Sequence, residues 1–236
     1  MATRRLQRKQ PAFDDEKVPE AERGLTQKEI GDVEQSQRPR APVVYEIVRL
    51  EGERELRRPL SSLWWSGVAA GISIGFSFLT QAALAANLHQ YDWKFAVISL
   101  GYAAGFMIVI LGRQQLFTEN VLTAVLPVIT RWKLSWLLRM LRLWGIVLAA
   151  NTAGCLVFAC AFAFLPIAGK DIATEMAALV HRLMENTPFE MFAKGIGAGW
   201  LIAALVWIIA STEGHEFFVI GALTYLIALL GELDLL

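Results

Sequence analysis

From Leu63 to Leu88 the chain runs without a single formal charge. A helix needs about 20 apolar residues to cross a hydrocarbon core of about 30 Å, and this run exceeds that length. Others follow it. Phe95 to Leu111 is a second, Leu143 to Ala168 a third long one, and Phe192 to Ser211 a fourth with Lys194 at its edge. Val121 to Thr130 and Phe217 to Leu230 are shorter. The pattern predicts an all-α membrane protein that crosses the bilayer several times.

Charge is distributed just as unevenly. Residues 1–60 hold 13 of the 22 Lys and Arg and 12 of the 22 Asp and Glu, so two different materials meet near Pro59. Residues 1–60 read as a charged cytoplasmic tail, largely disordered over 1–41. Residues 61–236 read as the transmembrane domain. Within the tail, Val43 to Arg58 sets Val44, Ile47, Val48 and Leu56 among Arg and Glu. That pattern fits a short amphipathic helix, either lying on the membrane surface or solvated. The first forty residues are polar and contain no signal-peptide core. The net charge of zero offers no basic excess for nucleic acid.

The basic residues also orient the chain. Lys94 alone lies between the first two runs, whereas Arg131, Lys133, Arg139 and Arg142 cluster before the third long one. By the positive-inside rule the N-terminus and the 131–142 loop are cytoplasmic, and the loop Gly169 to Glu190 is external. Cys155 and Cys160 stand five apart in one apolar run. That spacing puts them on different helix faces, which argues against a disulfide and predicts two small buried packing residues. Gly67, Gly71 and Gly75, Gly101 and Gly105, and Gly195 and Gly199 recur at intervals of four. Such stripes let membrane helices approach closely. They would also line a pore wall where backbone must come near a solute.

The most informative stretch is Gly112-Arg113-Gln114-Gln115-Leu116-Phe117-Thr118-Glu119-Asn120, between the apolar runs Phe95 to Leu111 and Val121 to Thr130. Neither run comfortably makes a full span by itself, the second least of all. In one reading the stretch is a polar loop followed by an interfacial segment. In the other, residues 95–130 form one discontinuous helix broken at membrane depth. Irregular backbone at that depth is tolerated only where protein or water satisfies it, and such breaks mark transporter sites. Orientation favours the break, because the second span must return to the basic cluster at Arg131. A short internal repeat points the same way. Gly67-Val-Ala-Ala-Gly71 resembles Gly195-Ile-Gly-Ala-Gly199, which comes three spans later and hence in opposite topology.

Five stretches together resemble the formate/nitrite transporter family: LWWSGVAAG (63–71), GYAAGFMIVILGRQQLFTENVLTAVLPV (101–128), RLWGIVLAANTAG (142–154), NTPFEMFAKGIGAGWLIAALVW (186–207) and TYLIAL (224–229). The resemblance covers about 60 to 230 and lies nearest a branch of bacterial inner-membrane proteins. It implies an aquaporin-like bundle of two inverted three-helix repeats, with a broken second helix and about five of six spans present. It further implies a homopentamer with a pore in each protomer. Leu116, Phe117 and Thr118 match the family's loop in the second helix, inside the LFT-x-N core that Asn120 completes. Tyr102 and Phe106 fall where the family places apolar constriction residues, and Asn151 matches an Asn of the third helix. Gly199 stands where the fourth helix commonly carries Asn.

The family's fifth helix is also broken, at a loop bearing a pore His. Here the sequence stops at Gly231-Glu-Leu-Asp-Leu-Leu236, and His89, His181 and His215 all lie outside the apolar runs. A helix over Phe217 to Leu230 would be about 21 Å long and would leave Glu232 and Asp234 deep in the bilayer, which is costly. The expectation is a C-terminally incomplete version of a longer protein.

The implied function is transport of small monovalent weak-acid anions across a bacterial inner membrane. An anion entering the pore is desolvated, its pKa rises, and proton uptake yields a neutral acid. That acid passes the apolar rings of Tyr102, Phe106, Leu116 and Phe117, and Thr118 would offer a hydroxyl to a passing oxyanion. The ordinary alternatives are lipid-facing or packing aromatics for Tyr102 and Phe106, and a plain loop for Leu116 to Thr118. The rival functions are a non-transporting membrane scaffold or truncated remnant, and a neutral-solute channel, which the absence of Asn-Pro-Ala half-helix motifs opposes. No cofactor or metal is expected. An enzyme is not expected either, since the apolar runs hold no Ser/His pairing, HExxH or metal cluster.

Overall fold

The computed structural model describes residues 39–88, 93–212 and 214–232. The tail up to residue 38, His89, Asp234 and the side chain of Glu232 lie outside the described residues. Among those described, the secondary structure is entirely helical. The helices are α1 (Ala41–Glu55), α2 (Leu60–Asn87), α3 (Lys94–Leu111), α4 (Asn120–Arg131), α5 (Leu134–Phe164), α6 (Lys170–Glu185), α7 (Pro188–Ile209) and α8 (Glu216–Glu232).

Local chemistry sets several of these ends. Pro59 takes an extended conformation ahead of α2, with φ −63° and ψ 149°, a geometry its ring favours outside a helix. Thr187 and Glu190 form a reciprocal capping box at the start of α7, with Pro188 in the first turn. Four helices, α2, α3, α5 and α7, are long and apolar enough to cross a membrane, and α4 and α8 are shorter apolar helices. At 1.5 Å per residue α5 is about 46 Å long, well beyond the hydrocarbon thickness.

Glycines bring the first helices together. A Cβ built on Gly71 would lie 2.2 Å from the backbone oxygen of Asn151, and one on Gly67 would lie 2.7 Å from Ala150 Cβ, so α2 and α5 touch along this stripe. On α3, Cβ atoms at Gly101 and Gly105 would meet the α2 backbone at 2.8 Å and 2.7 Å. Between apolar lipid tails these contacts are held by van der Waals packing rather than by release of water. Gly195 and Gly199 of α7 differ, because a Cβ at either would meet nothing within 4 Å.

Three expectations change. The segment 169–190 is not a loop, because it contains α6, which packs on α2. Its Val180, Leu183 and Met184 are exposed, while Glu175, Ala178, His181 and Arg182 line a cleft over α2 and α3. Ile172, Met176 and Leu179 are the half-buried positions of this amphipathic helix, so its apolar side chains divide between the face packed on α2 and an exposed edge. Cys155 and Cys160 are exposed rather than buried. Cys155 still reaches α2, its thiol donating to Gly71 O at 3.5 Å, and small apolar side chains in a bilayer need no full protein cover. The last helix extends over 17 residues, past both ends of the Phe217 to Leu230 run.

The amphipathic stretch forms α1, which is neither free in solvent nor simply laid on a surface. Val44, Val48 and Leu56 are buried, and α1 packs along α4. Pro127 inside α4 has no N–H for the carbonyl of Thr123 four residues back. α1 comes in at that carbonyl. A Cβ on Gly52 would lie 1.8 Å from Thr123 O, so only glycine permits the approach. Glu53, 8% exposed, then binds Arg131 at 2.6 Å, and Tyr45 shares a hydrogen bond with Thr130 at 2.9 Å. The bonds from Arg131, with those from Arg49, hold the Glu53 carboxyl below its ordinary range.

Candidate functional site

The break between α3 and α4 is built from the end of α3. The N–H of Gln114 donates to Val109 O at 2.9 Å and that of Arg113 to Ile110 O at 3.1 Å, with Arg113 left-handed at φ 49°. This is a Schellman closure, and it normally uses glycine at the left-handed position. Gly112, the residue that the sequence offers for that role, stays at φ −76°. The non-glycine residue costs about 1–2 kcal/mol, so surrounding contacts must hold the turn in place.

Those contacts come from α2 and α5. The N–H of Gln115 donates to Ser66 Oγ at 3.1 Å, and that of Phe117 donates to Asn151 Oδ1 at 2.9 Å. Asn151 Nδ2 donates to Gln115 O at 2.8 Å and to Gly67 O at 2.9 Å. One buried carboxamide thus ties the interrupted backbone to α2, with both its N–H donors committed. An unsatisfied backbone group in hydrocarbon costs several kcal/mol, so Ser66 and Asn151 are what allow the helix to stop here. Asn120 closes the far side, donating to Gln115 Oε1 at 3.1 Å and Leu116 O at 3.0 Å.

The loop sends its two apolar side chains different ways. Leu116 joins Phe106, Val109, Ile202, Leu205 and Ile220, with Tyr102 packed alongside. The Tyr102 and Phe106 rings stand 5.0 Å apart. Phe117 instead packs with Leu63, Leu143 and Val147, its ring edge-on to Trp144 at 6.1 Å. Thr118 is exposed, with no hydrogen bond to its hydroxyl from any described residue. Tyr102, Phe106 and Leu116 are therefore brought together, Asn120 and Asn151 hold the loop, and Phe117 lies in a separate cluster. Gly199, whose face is open, has no close neighbour at its Cβ position.

Sequence reading missed Ser66, Gln114 and Gln115. Ser66 adjoins the Gly67 stripe, and a hydroxyl beside a close-packing glycine was the available signal. Gln114 Oε1 is buried and has no hydrogen-bond partner. Nearly all buried polar atoms find one, so this acceptor in the break is open to a donor that the described residues do not supply.

Comparison with known proteins bears on this arrangement. Residues 42–232 match a family model described as formate/nitrite transporter. The chain is 42% identical over 190 residues to the inner membrane protein YfdC of Escherichia coli, covering 80% of this chain and 61% of that protein. It is 28% identical over 158 residues to the formate channel FocA of Haemophilus influenzae, covering 64% of this chain and 54% of that one. The chain thus spans between half and two thirds of the length of these relatives.

Proposed function

The chain belongs to the formate/nitrite transporter family, and on that premise we propose that it provides a protomer pathway for small monovalent anions of weak acids across a bacterial inner membrane. The family is one of transporters and channels rather than enzymes, and the chain is an integral, multi-pass membrane protein. The observation that carries the proposal is the break at 112–119, where irregular backbone is fastened by Ser66 and Asn151. Transport folds use such breaks to present polar groups to a solute inside the bilayer.

In this reading Tyr102, Phe106 and Leu116 form the apolar constriction, and a charged anion cannot cross it cheaply. Desolvation favours the protonated acid. The buried Gln114 Oε1 accepts a hydrogen bond from that acid's O–H, and the exposed Thr118 hydroxyl receives the anion at the entrance. Asn120 and Asn151 shape the loop without touching the solute. The N-terminus and the basic stretch 131–142, which is helical from Leu134 rather than a loop, face the cytoplasm, and a complete bundle would pair inverted repeats, with protomers assembled as a homopentamer. Uptake of labelled formate or nitrite into proteoliposomes tests this. Flux should rise on acidifying the side of entry and fall several-fold in Gln114→Leu. A folded oligomer that carries no flux would sink the proposal. The rival reading is a scaffold that does not conduct. Zero flux with intact assembly would select it.

A further inference from the structure

At the end of the molecule that carries the basic loops, three guanidiniums surround one indole. Arg131, Arg139 and Arg57 lie 4.8, 5.7 and 5.8 Å from the centre of the Trp136 ring. Cation–π contacts of this kind occur about once per 70–80 residues, so three on one ring is a concentration of positive charge. One carboxylate serves them. Glu53 binds Arg131 at 2.6 Å, reaches Arg57 at 3.4 Å, and also holds Arg49. Arg139 meets no carboxylate among the described residues. The cluster is left with positive charge in excess, and the Arg57 side chain is 60% exposed.

Its depth says what can neutralise it. Trp136 sits two residues into α5, where the exposed apolar surface of that helix begins. Leu134 is 69% exposed, Leu138 57% and Leu141 50%, and Trp132 just before them is 84% exposed. Exposed apolar surface at this level belongs in hydrocarbon, and Trp marks the boundary with headgroups. The uncompensated guanidiniums therefore stand at headgroup level.

We propose that this cluster binds an anionic phospholipid, with Arg57 and Arg139 pairing its phosphodiester beside Trp136. Arg131 remains committed to Glu53, and the Trp136 face orders the other two guanidiniums so that little side-chain freedom is lost on binding. A zwitterionic lipid offers the same phosphate but brings its own cation, which these arginines repel.

The test is native mass spectrometry of the full chain given equimolar phosphatidylglycerol and phosphatidylcholine. Each basic residue near a charged headgroup is worth about five-fold in binding. Bound phosphatidylglycerol should therefore exceed phosphatidylcholine by at least about ten-fold. The R57Q/R139Q double variant should approach parity, whereas Arg139→Lys and Lys94→Gln, the latter at the far end of α3, should keep the preference. In the unaltered chain the preference should shrink as salt rises. Millimolar glycerol phosphate, a headgroup without acyl chains, should not displace the lipid. Equal retention of the two lipids, a preference unaffected by salt or by R57Q/R139Q, or full displacement by glycerol phosphate would each overturn the assignment.

Discussion

The same Gly-x-x-x-Gly pattern occurs in α2 and in α7, and the two helices use it differently. In α2 the pair Gly67 and Gly71 is pressed against α5, close enough that even a methyl group would collide with Asn151 O. In α7 Gly195 and Gly199 face open space among the described residues. The polar side chains differ in parallel. Around the break they cross between helices, from Asn151 to Gly67 and Gln115 and from Ser77 to Tyr102 O. In α8, Thr224 bonds back to Ile220 O of its own helix. Burial agrees, since 33% of the most apolar window of α2 is inside the molecule but only 17% of that of α7. A glycine pair thus records where a helix can be approached, and only the partner determines whether it is.

The largest expected effect comes from the crossing bonds. Asn151→Ala orphans the Phe117 N–H and the Gln115 carbonyl, each worth about 1–3 kcal/mol when buried without a partner. Thermal unfolding in detergent should show a loss of at least about 2 kcal/mol, and hydrogen exchange should quicken at 112–120 while α7 and α8 stay protected. Uniform loosening of all helices would erase the contrast between the halves. Next comes the glycine pair itself. Gly71→Ala forces α2 from α5 and should cost about 1–3 kcal/mol, whereas Gly199→Ala should change stability by less than about 0.5 kcal/mol. Equal losses would mean that the α7 face is covered in the membrane, and would identify it as a packing surface after all.

The smallest contrast is with pH. Glu53 titrates below its ordinary value of 4.5 because Arg131 and Arg49 bind its charged form. The stability it contributes is present above that ordinary value and is lost as pH falls through the lowered one. Exchange protection of α1 should therefore hold down to about 4.5 and decline below it, with α7 and α8 unchanged because they meet through Ile202, Leu205 and Ile220. In Glu53→Gln the decline should vanish, and protection of α1 should be low at every pH.

Hydropathy made the long spans readable, since Leu63 to Leu88 admits no other interpretation than a buried or lipid-clad helix. The break was readable for a related reason, because a polar nonapeptide between two short apolar runs has few places to go. α6 was not read, although Ile172, Met176, Leu179 and Leu183 keep helical spacing. Its charged residues dilute the apolar signal, and its apolar side chains divide between a half-buried face and an exposed edge. The cysteines misled because in a bilayer an apolar residue gains no hiding place by being apolar. Asn151 was singled out, but its work of bonding the loop on both donor and acceptor sides depends on where α2 and α5 cross. Spacing in one dimension does not contain that crossing. Nor does it contain the divergence of Leu116 and Phe117 into separate clusters, which depends on the turn at Arg113.

The ion pair between Glu53 and Arg131 joins residues 78 apart in sequence, and this separation matters while the chain is being made. At roughly 5–20 residues per second, on the order of 4 to 16 s pass between synthesis of α1 and arrival of the arginine it needs. Through that interval Val44 and Val48 have no α4 to cover them. The membrane surface is the one apolar phase within reach, so a nascent chain would rest α1 there and trade lipid for protein only when the returning half of the broken helix is delivered.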